Sequence, residues 1–115
     1  MSTQNRALLT ILQTLTGTVS ACRFTTPAGA QAGADANTFG VARTAGVSGD
    51  KIPVDVIGTA VIESGAAFSA GATLKSDASG RGITWATSGA KIAIALEAAT
   101  AAGQFVEVRL VDNVA

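Results

Sequence analysis

The sequence predicts an all-β fold, a small pseudo-duplicated β-barrel or sandwich carrying an extended N-terminal arm. Three observations predict it. Apolar residues alternate with other types in short segments, at Ile52, Val54 and Val56 and again at Val106, Val108 and Leu110. Such period-two alternation marks a half-buried strand, because successive side chains point to opposite faces. These two segments also belong to a repeat, since Gly49 and the strand it opens recur 54 residues later as Gly103 and its strand. Upstream pieces keep the same order in both copies. Phe39-Gly40-Val41-Ala42 answers to Ile92-Ala93-Ile94-Ala95, and Ser20-Ala21-Cys22 to Ser69-Ala70-Gly71.

Taken in order, residues 1–17 form the arm and residues 18–115 one β domain, with similar halves at 18–62 and 63–111. In the arm, Leu8, Ile11, Leu12 and Leu15 fit one helical face, whereas the alternation of Thr10, Thr14, Thr16 and Thr18 with apolar neighbours fits an extended segment. The extended reading is the one adopted. Residues 18–24 read as a strand, followed by a turn at Pro27-Ala28-Gly29 and a loop of small and polar residues. A short strand follows at 39–43. Residues 51–62 carry the longest strand signal, with Gly58 marking a bulge or bend and Pro53 an edge or irregularity, because proline lacks the ladder donor. In the second half, Ala72-Thr73-Leu74-Lys75 and Ile83-Thr84-Trp85-Ala86 flank Ser76-Asp77-Ala78-Ser79-Gly80-Arg81 as a hairpin. Strands at 92–96 and 105–111 complete the set, and residues 97–102 read as a loop. About eight short strands at regular spacing indicate a small barrel or sandwich.

Composition narrows the function. The 115 residues carry 8 basic and 8 acidic groups, so no basic face draws the chain toward nucleic acid. With 24 alanines, 13 glycines and only five aromatic residues, the core is thin, and oligomerisation is one way for such a domain to gain stability. A single cysteine, Cys22, forbids an internal disulfide and reads as a small buried residue. No apolar run approaches the roughly 20 residues of a membrane helix. The start, Met1-Ser2-Thr3-Gln4-Asn5-Arg6, is too polar for a secretory signal, so synthesis and use without export are expected.

The residue inventory argues against an enzyme. Histidine, the commonest general base and metal ligand, is absent. No two carboxylates stand at a spacing that implies a catalytic dyad. Asp77-Ala78-Ser79-Gly80-Arg81 has one carboxylate where a calcium loop needs several oxygen ligands, so it is better read as a turn. No glycine run ends in Gly-Lys-Ser or Gly-Lys-Thr, which leaves phosphate cradling unsupported. Neither cofactor, metal nor small-molecule substrate is expected. Trp85 reads first as core; a subunit interface, which favours large aromatics, is its second role, and Phe68 is the other interface candidate.

From Thr18 to Val111 the chain resembles the decoration, or cement, proteins of tailed-bacteriophage capsids. The resemblance rests on Ser20-Ala21-Cys22-Arg23-Phe24, Phe39-Gly40-Val41-Ala42-Arg43, Val54-Asp55-Val56-Ile57-Gly58-Thr59-Ala60, Ser69-Ala70-Gly71-Ala72-Thr73-Leu74, Ser76-Asp77-Ala78-Ser79-Gly80-Arg81 and Ala95-Leu96-Glu97 with Gly103 and its strand. Cys22 departs from the glycine expected by analogy with Gly71. The resemblance implies a β-tulip-like domain without enzymatic activity. It further implies a homotrimer that sits on the outside of the mature virion capsid and clamps neighbouring major capsid proteins, after synthesis in the host cytoplasm. Arg6, Leu8, Leu9, Ile11 and Leu12 are the candidate capsid contacts, as an apolar stripe lying outside the repeats. The alternatives are a β-barrel interaction module of a phage tail or fibre assembly, and a cellular carrier domain. A carrier would display a lysine at a hairpin tip, but Lys75 is set back from Asp77-Ala78-Ser79-Gly80.

Overall fold

The computed structural model describes residues 7–114, with side chains through residue 111. Eight strands account for the regular structure: β1 (Ala7–Thr14), β2 (Phe24–Thr25), β3 (Gly40–Ala42), β4 (Lys51–Glu63), β5 (Thr73–Ser76), β6 (Gly82–Thr84), β7 (Lys91–Ala95) and β8 (Phe105–Val114). All pair antiparallel in a single sheet ordered β2-β3-β4-β8-β7-β5-β6, with β1 alongside β4. The two ends of that order meet. Phe24 donates its amide to the Gly80 carbonyl at 2.9 Å, and a bridge joins Ser64 to Gly82, so the sheet curls into a nearly closed barrel.

The strand β4 serves both halves. Its first part pairs with β1 and β3, and its last five residues pair with β8. The change of partners falls at Gly58, whose φ of +105° is open to glycine and strained for other residues. Pro53 lies where the β3 ladder ends. Arg43 donates to the Pro53 carbonyl at 3.0 Å, and the return bond, for which proline has no donor, is not needed.

The duplication extends to individual pairings. Phe24↔Val41 in the first half answers to Thr73↔Ile94 in the second, and Ala42↔Val54 to Ala95↔Val108. β1 takes part as well. Thr10↔Asp55 and Thr14↔Lys51 answer to Thr59↔Arg109 and Glu63↔Phe105, so β1 stands to the first half as the end of β4 stands to the second. Loop bonds follow suit: Leu15 N–H to Asp50 (2.8 Å) matches Ser64 N–H to Gln104 (2.7 Å), and the Val19–Gly46 bridge matches Phe68–Ala99.

The core divides along the same line. Leu15, Val19, Ala42, Ile52 and Val54 form a small cluster. Their counterparts are Ser64, Phe68, Ala95, Val106 and Val108, and the last four of these belong to a larger cluster with Phe24, Ala32, Val41, Ile62, Leu74 and Ile92. First-half residues therefore roof the second half, while the small cluster has no matching roof among the described residues.

Residues 18–24, expected as a strand, are corrected to an isolated bridge at Val19 plus the two-residue β2. Cys22 interrupts the run with φ 61°, a left-handed backbone that no strand continues through. Within the arm, residues 7–14 are extended, in agreement with the adopted reading, and lie in the sheet, while residues 1–6 lie outside the described residues.

Candidate functional site

The candidate surface is the outward part of β1. From Thr10 onward alternation places Thr10 and Leu12 on one face and Ile11 on the other together with buried Gln13, while Leu8 and Leu9 stand where the pairing with β4 shifts register. Gln13 ties the strand down. Its Nε2 donates to the Thr26 carbonyl at 2.8 Å, and its Oε1 accepts from the Thr25 hydroxyl at 3.0 Å. Buried Asp55 fixes the middle, accepting from Thr10 Oγ1 at 2.9 Å and from Arg43 at 2.8 Å. From Thr10 to Gln13, β1 is thus bonded into the domain through its side chains as well as its ladder. On it Leu8 is 82% exposed, Leu12 67%, Leu9 41% and Ile11 37%. Large apolar side chains gathered on one strand mark an interaction surface better than scattered ones do. Arg6, the remaining candidate, lies outside the described residues.

A second feature escaped sequence reasoning. A groove of about 210 Å³ is lined by residues of both halves, among them Phe39 and Ile92, Val56 and Leu110, and Ile57 and Val111, with Thr38 and Gly40 beside them. The repeat alignment pairs the first six, but only the fold shows that they share one groove. Ile57, half exposed at its rim, is next to the Gly58 bend.

The interface candidates part company. Phe68 is 7% exposed and packs inside the large core cluster, which leaves little of it for a second chain. Trp85 is half-buried, its indole N–H bonded to the Gly89 carbonyl at 2.9 Å and its ring under Lys91 Nζ at 4.4 Å. That places Trp85 at the rim of the domain, with its orientation set.

Charged groups here join the halves. Glu63 accepts from Arg23 at 3.1 Å and lies 3.6 Å from Arg81, which also pairs with Asp77 at 3.4 Å. Lys75 meets Asp35 at 2.7 Å, and hydrogen bonds from Lys75 and Ser88 hold that carboxyl below its usual value. Burial, with the Glu63 charge behind it, pushes the Cys22 thiol up, which makes it a poor nucleophile near neutrality. Among the described residues no group of three or more Cys, Asp or Glu gathers to hold a metal ion, and no helix is long and apolar enough to cross a membrane.

Comparison with known proteins adds three findings. A family model described as phage cement protein matches residues 3–110. The crystal structure of the head fiber gp8.5 N base in bacteriophage phi29 is similar in fold, with a TM-score of 0.72 and 16% identity over 93% of this chain and 98% of that one. No curated protein matches the chain.

Proposed function

The chain belongs to the phage cement protein family, and from that premise we propose that it binds the outer surface of the mature capsid as a homotrimer and clamps neighbouring major capsid proteins together. Membership makes it a structural, capsid-associated phage protein. The observation that carries the finer reading is the exposed apolar surface of β1, where Leu8 and Leu12 stand out from a strand that Gln13 and Asp55 anchor in the sheet. A preorganised apolar face binds without first paying to order a flexible tail. A ligand that binds only the expanded shell stabilises that state by mass action, and several footprints on one oligomer add avidity.

The test is co-sedimentation with expanded and unexpanded capsids. Wild-type protein is expected to sediment with expanded capsids alone. Burying one leucine contributes about 1.5–3 kcal/mol, so Leu12→Asp or Leu8→Asp should weaken capsid binding by at least about tenfold per footprint. Unchanged binding in both variants would sink the assignment of this face. The likeness in fold to a head fiber base favours one second reading, a β-barrel interaction module of a fibre or tail assembly. Absence of binding to expanded shells, with binding to isolated tails or fibres, would select it.

A further inference from the structure

We propose that the Ile11 face of β1 is a subunit joint, closed by the second half of another copy of this chain in a head-to-tail arrangement. The molecule contains its own template for that joint. β1 is the counterpart of the last part of β4, with the same pairing register. Inside the chain that part of β4 is covered by the first half. Glu63 donates its amide to the Cys22 carbonyl at 3.0 Å, its carboxylate meets Arg23 at 3.1 Å, and Ala60 is fully buried in the cluster that holds Phe24 and Ala32.

At β1 the matching positions are Thr14 for Glu63 and Ile11 for Ala60, and both are exposed. The covering piece has counterparts too. Cys22 corresponds to Gly71, Phe24 to Thr73 and Ala32 to Trp85, and the last pair is fixed by bonds in common: Ala32 donates to Phe24 at 2.9 Å, Trp85 to Thr73 at 2.8 Å. The covering pair therefore exchanges its bulk, from a large and a small residue inside the chain to a small and a large one at the free edge. That exchange suits the exchange of small Ala60 for larger Ile11 on the opposite side of the joint. Thr73 and Trp85 lie at one end of the molecule's repeat and β1 at the other. Each copy thus offers one half of the joint at each end, a heterologous contact that closes into a ring when the rotation permits.

This rests on the reading of the protein as an oligomer, and it separates the two faces of β1: Ile11 toward a neighbouring copy, Leu12 toward the shell. The first experiment is light scattering on the full chain with the emission of its sole tryptophan. Wild type should show a multiple of 11.3 kDa. Ile11→Asp should fall to the single-chain mass with a red-shifted Trp85 emission, while Leu12→Asp keeps the wild-type mass. Because Ile11→Asp could disturb folding, the second experiment mixes singly substituted Thr14→Cys and Ala72→Cys proteins, both also carrying Cys22→Gly. These sites answer to Glu63 and Arg23. A disulfide-linked dimer in the mixture, exceeding that in either protein alone, is the result expected. A monomeric wild type, an Ile11→Asp variant of full oligomeric mass, or no excess of mixed disulfide would overturn the joint. An Ile11→Asp variant that stays oligomeric but loses capsids would assign this face to the shell instead. Loss of capsid binding by Leu12→Asp depends on none of these outcomes and tests the shell reading alone.

Discussion

Cys22 holds a left-handed backbone, φ 61°, at the position where its counterpart Gly71 has φ 86°. A side chain in that region costs about 1–2 kcal/mol, against the roughly 0.5–1 kcal/mol of extra chain entropy that glycine loses on folding. Cys22→Gly should therefore raise stability by about 0.5 kcal/mol, a rise of a few degrees in Tm by calorimetry, whereas β-branched Cys22→Val should lower it. A second residue-scale contrast concerns one ladder position. Leu96 donates to Glu107 at 3.0 Å as Arg43 donates to Pro53 at 3.0 Å, but Glu107, unlike proline, has an amide hydrogen to place. Buried Glu97 takes it at 2.9 Å. Removing that acceptor in Glu97→Ala should cost about 1–3 kcal/mol in urea unfolding, and Glu97→Gln, which keeps an oxygen, clearly less. Asp35 supplies a pH dependence. Its folded carboxyl is held below the unfolded value by Lys75 and Ser88, so its contribution is present above the unfolded pKa and is lost as pH falls through the folded one. The urea midpoint should drop on acidification through that range, and Lys75→Met should flatten the drop.

At the scale of elements, β1 is part of the sheet as well as a display surface. Deleting residues 1–16 would remove Leu15 from the small core cluster and Gln13 from its bonds to Thr25 and Thr26. Several kcal/mol out of a typical 5–15 should go, leaving a chain with no cooperative unfolding transition by circular dichroism. Point substitutions on the outer face are thus the cleaner probe of binding. How legible β1 was follows from the same facts. Alternating side chains gave away its extended form, but its kinship with the end of β4 did not show. Ile11 answers to Ala60, Gln13 to Ile62 and Leu15 to Ser64, because one strand is an edge and the other an interior strand with different burial. Strands β4, β7 and β8 were legible within one to three residues, β4 and β8 by a period-two pattern behind a glycine and β7 as a short apolar run matched in the other repeat. Residues 18–24 were not, since one left-handed residue ends a strand without changing its hydrophobic pattern. The groove was equally hidden, as sharing one groove across the two halves leaves no trace in spacing.

For the whole molecule, the unequal cores predict unequal protection. Amides around Ala42 and Ile52, over the small cluster, should exchange with solvent several-fold faster than those around Ile62 and Val108, which lie within the large one. Native-state hydrogen exchange would check this, and equal protection in both halves would show that cluster size does not govern local opening here. Binding of a second copy over Ile11 should slow exchange at Val54, its cross-strand neighbour, more than at Val108.

Ala7 and Arg109 flank the middle of β4, paired with Gly58 and Thr59 respectively. The first and last strands therefore meet β4 at adjacent residues, and that shared seam lies away from the exposed bend at Ala86 and Thr87. A foreign peptide inserted in that bend would leave the ladder of strands intact, so a display particle built on this protein has a site of presentation that spares the seam.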